Sequence, residues 1–217
     1  MKIKGAIFDM DGTLIDSMEY WETVGIEYLK RNNITFNAER DNYILQVGIK
    51  QFSDFCNKEY GLNKPYEEVL QKIHDIMAEK YETVVMLKPG AKEMLEKFKQ
   101  NGVKMCIATA TEKKEAVSVL NRLGILDYFD EVFTTTTVGA NKNSPLIYET
   151  ALNFLGTKKE ETYVFEDAWY AVYTAVNAGF NVIGVEEKFS SVPSKEIAPH
   201  CKHFLWEKDN YDISFLE

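Results

Sequence analysis

Four polar clusters in this sequence carry side chains that could do chemistry together. Asp9-Met10-Asp11-Gly12-Thr13 follows one short apolar run, Thr109 ends a second, and Glu166-Asp167 ends a third. Lys142 stands just before Ser144-Pro145. Carboxylates gathered in one place repel one another, and they persist only beside a cation or with raised pKa values. Hard carboxylate oxygens suit magnesium, which also binds substrate phosphate. Taken alone, each cluster has a plainer reading. An aspartate after a strand commonly forms a turn or caps a helix, Thr109 is bland, and Lys142 would be a solvated charge. Their order and their shared placement at strand ends argue for a common site.

The elements that must position them follow from hydrophobic pattern. Residues 4–8, 103–108, 131–133, 162–165 and 181–185 are short apolar runs that read as buried strands. Between them lie helical patterns at 91–100, 111–123 and 168–178, and one opened by Ser144-Pro145. Thr111 is placed to cap the second of these. Strands alternating with helices predict a doubly wound parallel sheet covered on both faces, a Rossmann-like α/β core. After the first strand the rhythm changes. Residues 15–86 read as helical throughout, with segments at 49–60 and 66–81. An insert of about 70 residues is far longer than an ordinary connection. The expected organisation is therefore a core of residues 1–14 and 87–217 and a helical cap of 15–86. Ligands of open parallel sheets bind at the carboxyl ends of the strands, and the insert leaves the core at such an end.

Composition narrows the partners. Lys plus Arg number 25 against 34 Asp plus Glu, a net charge of −9, which argues against nucleic acid as a ligand. A small phosphorylated substrate is compatible with that charge, because a metal ion and one or two lysines supply the local positive field. The start, MKIKGAIFDMDGT, runs into aspartates too soon for a signal peptide, and no apolar run approaches a membrane span. Cys56, Cys106 and Cys201 are widely spaced, which points to reduced thiols and a cytoplasmic setting. The expected assembly is a monomer or weak homodimer. His200-Cys201-Lys202-His203 lacks a second ligand pair and reads as a plain surface loop.

DMDGT after the first strand, with the later motifs in order, resembles the haloacid dehalogenase-like superfamily of phosphotransferases. The resemblance spans nearly the whole chain. The helical insert and Asp16-Ser17 are similar to the branch that contains β-phosphoglucomutases and phosphoglycolate phosphatases. The resemblance implies that Asp9 attacks phosphorus to form an aspartyl-phosphate, and that Asp11 serves as general acid and then general base. Residues i and i+2 at an extended strand end face the same way, so both carboxylates could address one phosphate. It further implies that Thr109, the backbone around Ala110, Gly12 and Lys142 bind the phosphoryl group. Magnesium would be held by Asp9, the Asp11 carbonyl and Asp167, with Glu166 holding a metal-bound water. Lys50, from the insert, is a candidate substrate contact.

The chain departs from that pattern in three places. The usual KPxPD is here Lys142-Asn143-Ser144-Pro145-Leu146. The usual EDS is Glu166-Asp167-Ala168, with Trp169 and Tyr170 adding bulk, so an unusual loop conformation is expected there. Where the mutases carry a histidine in a DxxEYH pattern, this chain has Trp21. The leading expectation is a magnesium-dependent phosphatase acting on a small phosphorylated metabolite, sugar phosphates among the candidates. A β-phosphoglucomutase-like mutase is the alternative, and a non-catalytic phospho-ligand binder is the alternative of another class. A dehalogenase would not need Asp11 or a metal site.

Overall fold

The computed structural model describes residues 3–216. Six strands form one sheet: β1 Gly5–Phe8, β2 Lys104–Thr109, β3 Glu131–Thr134, β4 Thr162–Glu166, β5 Asn181–Val185 and β6 His203–Leu205. Every pair is parallel, and the order is β3-β2-β1-β4-β5-β6. β1 and β4 are buried along their whole length, as strands covered on both faces must be. Successive residues point to opposite faces. Ile7 and Val164 join one apolar cluster with Ile147, Tyr148, Val172 and Ala175. On the other face Phe8 stacks on Phe165 with ring centres 4.3 Å apart, and Phe98 meets Phe165 edge-on at 5.8 Å.

The chain divides into two compact units. One comprises everything up to Ser17 and again from Val85 onward, and the other is Met18–Val84. The expected boundaries at 14/15 and 86/87 are displaced by two or three residues. The outgoing and returning segments pair with each other: Asp16 N–H donates to Met86 O at 2.8 Å and Lys88 N–H to Leu14 O at 2.9 Å. Those hydrogen bonds keep both segments with the sheet.

The Met18–Val84 unit consists of α1 Met18–Arg31, the single turn α2 Ala38–Asp41, α3 Ile49–Tyr60 and α4 Tyr66–Thr83. Tyr28 of α1 meets Phe52 of α3 edge-on at 5.4 Å. The Trp21 indole N–H donates to Tyr81 Oη at 3.0 Å, and the Trp21 ring packs on His74. Trp21 is thereby built into the helical packing. A large aromatic gives most when its apolar body is covered and its one donor is satisfied.

The sheet unit carries α5 Ala91–Gln100, α6 Lys113–Arg122, the single turn α7 Thr135–Val138, α8 Leu146–Leu155, α9 Trp169–Asn177 and the single turn α10 Ser194–Ile197. Two expectations fail here. The 200–203 segment is no plain surface loop: His203 opens β6, which pairs with β5, and its ring stacks on Phe215 at 3.9 Å. A three-residue edge strand leaves too little alternation to be read from sequence. Thr111 does not cap α6, whose N-terminal flanking residue is Glu112 without a side-chain cap. Among the described residues no helix is long and apolar enough to cross a membrane.

Candidate active site

The strand order explains where the polar clusters meet. From β1 the chain builds β2 and β3 on one side, then returns to lay β4, β5 and β6 on the other. The direction reverses between β1 and β4, and the crevice beyond their carboxyl ends is where such sheets take ligands. Asp9 follows β1, and its N–H donates to Phe165 O of β4 at 2.9 Å. Glu166 closes β4, and Asp167 follows it. Thr109 closes β2.

Asp9, Glu166 and Asp167 are all buried, and each offers an oxygen within 4.8 Å of the others. Lys142 lies opposite them, only 3% exposed. Its ammonium donates to Asp9 Oδ1 and, at 2.7 Å, to Glu166 Oε1. Burial alone would push this lysine down, but the charges of Asp9 and Glu166 and their hydrogen bonds outweigh it and hold the ammonium above its ordinary range. The acids respond the other way. Burial, reinforced by neighbouring carboxylates and opposed by Lys142, holds the Asp9 carboxyl well above its usual value. Burial and then Glu166 raise Asp167 to about 7. Lys142 thus bridges two of the three carboxyl groups, the Lys88 charge acts on the third, and all three carboxyls share few cations.

Those residues fit a hard divalent cation. Glu166 Oε1 is taken by Lys142 and by the Tyr148 hydroxyl at 2.7 Å, whereas Glu166 Oε2 is buried without a hydrogen-bond partner. An orphaned buried carboxylate oxygen is costly, and a cation or its bound water would satisfy it. Asp167 Oδ1 accepts from Thr13 Oγ1 at 3.0 Å, the kind of outer contact that orients a metal-binding carboxylate. Lys88 and Glu187 form a further buried ion pair at 2.6 Å in the same neighbourhood, and the Lys88 charge opposes the rise at Asp167.

Asp11 is partly buried, and both its oxygens are occupied. Ser17 Oγ donates to Oδ1 and Thr111 Oγ1 to Oδ2, each at 2.7 Å. Gly12 turns the chain at φ 79, a left-handed conformation that favours glycine. The turn is closed by Gly12 N–H to Ile15 O at 3.0 Å. Thr109 Oγ1 accepts from Thr111 N–H at 3.0 Å, which leaves its own proton to donate elsewhere. Ala110 lies between them, exposed. Lys50 is exposed on α3 and pairs with Asp54 at 2.9 Å.

The aromatic bulk after Asp167 does not distort the loop. Ala168 has ordinary extended angles, φ −84 and ψ 126. Trp169 turns away to pack on His200 at 4.8 Å and on Tyr173. Thr13, Ser17, Thr111 and Tyr148 were not singled out by sequence as site residues. Thr13 and Ser17 carried a signal, since both lie in or beside the first motif. Tyr148 carried none, because a tyrosine on a buried helix face reads as core.

An α/β sheet with a buried carboxylate cluster at its switch point and a lysine locked into it defines a class of phosphoryl-handling enzyme. The chain belongs to the haloacid dehalogenase-like hydrolases, whose family pattern matches residues 6–185. It is 28% identical over 185 residues to a phosphorylated carbohydrates phosphatase of Thermotoga maritima, covering 83% of this chain and 84% of that one. It is 24% identical over 199 residues to a β-phosphoglucomutase of Bacillus subtilis, covering 84% and 83%. Among solved structures, CbbY of Rhodobacter sphaeroides in complex with phosphate shares the fold. The TM-score is 0.75 and the identity 21%, over 96% of this chain and 95% of that one.

Proposed function

We propose that this chain is a magnesium-dependent phosphatase that hydrolyses a small phosphorylated metabolite through an aspartyl-phosphate on Asp9. The observation that carries the reading is the buried cluster in which Lys142 bridges Asp9 and Glu166 while Glu166 Oε2 stays unpaired. Lysine charge beside a nucleophilic carboxylate is what attack on an anionic phosphate needs.

Asp9 attacks phosphorus, and the bond from phosphorus to the ester oxygen breaks. Asp11 gives its proton to that leaving oxygen. In the second half, Asp11 takes a proton from water, the water oxygen attacks phosphorus, and the bond to Asp9 breaks. Phosphate leaves with Asp9 free and Asp11 protonated again. Thr109 and Lys142 donate to the phosphoryl oxygens throughout, so most of the work is positioning and charge stabilisation. Asp9, Asp167 and the Asp11 carbonyl would hold the magnesium ion, with Glu166 on its water. The ion would supply the positive charge that the cluster lacks and draw charge from the phosphoryl oxygens.

Water is the proposed acceptor. A mutase must hold a bisphosphate by both ends, and the position of its histidine is here Trp21, whose only donor is already committed to Tyr81. The phosphatase among the relatives supports the same choice. The test is hydrolysis of 4-nitrophenyl phosphate with and without magnesium, beside Asp9→Asn. Metal-dependent turnover that Asp9→Asn abolishes is expected, with acid-stable trapping of one phosphoryl group on the wild type. Absence of metal-dependent turnover across a panel of phosphate esters would sink the reading. Transfer of phosphate between positions of one sugar phosphate would replace it with the mutase.

A further inference from the structure

Asp11 is the proposed proton donor, yet nothing in the motif says what aims it. The structure does. A carboxyl group held at one oxygen still swings about its Cβ–Cγ bond. Asp11 is held at both, by hydroxyls from different parts of the chain: Ser17, 6 residues on, and Thr111, 100 residues on, each at 2.7 Å. Both donors are themselves anchored. Ser17 is fully buried, and the preceding N–H of Asp16 is tied to Met86 O at 2.8 Å. Thr111 N–H donates to Thr109 Oγ1 at 3.0 Å, which links the clamp to the proposed phosphoryl-binding threonine. Hydroxyls also suit a group whose proton comes and goes. Each can donate to the carboxylate or accept from the carboxylic acid, so contact survives either state. A lysine or a backbone N–H can only donate, so neither could accept a hydrogen bond from the carboxylic acid.

We propose that Ser17 and Thr111 are positioning residues that aim Asp11 at the leaving oxygen. This rests on the phosphatase reading and adds to it a specific dependence on the leaving group. A poor leaving group needs the proton from Asp11, whereas a good one departs with little help. A mis-aimed Asp11 therefore costs most where the leaving group is poorest.

The experiment measures kcat/KM for a series of aryl phosphates from 4-nitrophenyl to unsubstituted phenyl phosphate, which reports the steps through departure of the aryl oxygen. Wild type is compared with Ser17→Ala, Thr111→Val, and the hydroxyl-keeping Ser17→Thr and Thr111→Ser. The expected result is a steeper dependence on leaving group in the two hydroxyl-free variants. Their loss on phenyl phosphate should exceed that on 4-nitrophenyl phosphate by roughly tenfold or more, with the wild-type slope restored in Thr111→Ser or Ser17→Thr. Equal losses across the series would overturn the assignment and leave the phosphatase reading standing, as would failure of both hydroxyl-keeping variants to restore the slope. Wild-type turnover that is absent, or that survives Asp9→Asn, would instead overturn the phosphatase reading and this assignment with it.

Discussion

Lys142 and Glu166 are joined by a buried 2.7 Å hydrogen bond at the carboxyl ends of β1 and β4, and the same ammonium also engages Asp9. Among the described residues, Lys142 is the one cation hydrogen-bonded to either carboxylate. Replacing it by methionine keeps the bulk of the stem and leaves both facing acids uncompensated. Lys142→Met should lower kcat/KM by about 100-fold or more. It should also destabilise the fold by roughly 3 kcal/mol, read from urea denaturation at neutral pH. Unchanged stability would show that the pair is not confined as described.

Thr13 acts on the proposed metal site through Asp167. Thr13→Val keeps the branched shape and deletes only the hydroxyl that donates to Asp167 Oδ1. Magnesium affinity, measured by calorimetric titration, should fall by roughly 10-fold to 100-fold. The metal-free protein should also melt somewhat lower, because the change leaves a buried Asp167 oxygen without its donor. Equal affinity in the two proteins would remove Thr13 from the site.

Asp41 gives a prediction in pH. Its side chain is fully buried and accepts from Arg40 Nε at 2.6 Å and from Asn37 N–H at 2.7 Å. The Arg40 hydrogen bond, opposed by burial, holds its carboxyl down at about 2. A depressed folded-state value means the contribution is complete above the ordinary value of 3.8 and is lost as pH falls towards 2. Asp41→Asn should therefore melt lower than wild type at pH 6, and the gap should close between about pH 4 and pH 2. A gap that does not depend on pH in that window would contradict the ion pair.

Gly90 meets the C-terminal segment at close range. It has φ 80, and a Cβ built there would stand 2.3 Å from the backbone oxygen of Asn210. A backbone atom cannot rotate out of the way, and alanine disfavours the left-handed conformation as well. Gly90→Ala should lower the melting temperature by roughly 5 °C or more. Gly124→Ala, at a similar φ of 67 with open space around it, should cost less, because it bears only the conformational strain. Equal losses at the two glycines would discount the clash.

Much of the fold was legible in the residues. Five apolar runs became strands, and 91–100 became a helix with those bounds, because buried parallel strands and amphipathic helices write their periods into the chain. The sixth strand was not legible. His203–Leu205 pairs only along β5, and its membership depends on a neighbour, not on its own pattern. Threonine just before a helix is a common cap, and Thr111 fits that pattern. Its hydroxyl instead reaches Asp11, 100 positions away.

The sequence by itself determined the chemistry on offer: two aspartates two residues apart after a strand, an acid pair after another, and a lysine between motifs. Those are local patterns, and strand ends in a parallel sheet must gather at one edge. Only the tertiary structure decided which oxygen each donor takes. That Lys142 spans Asp9 and Glu166, that Tyr148 occupies Glu166 Oε1 and leaves Oε2 open, and that Ser17 and Thr111 hold Asp11 from two directions are facts of distance across the sheet. Hydrogen bonds form between atoms brought within about 3 Å, and sequence separation does not encode that proximity.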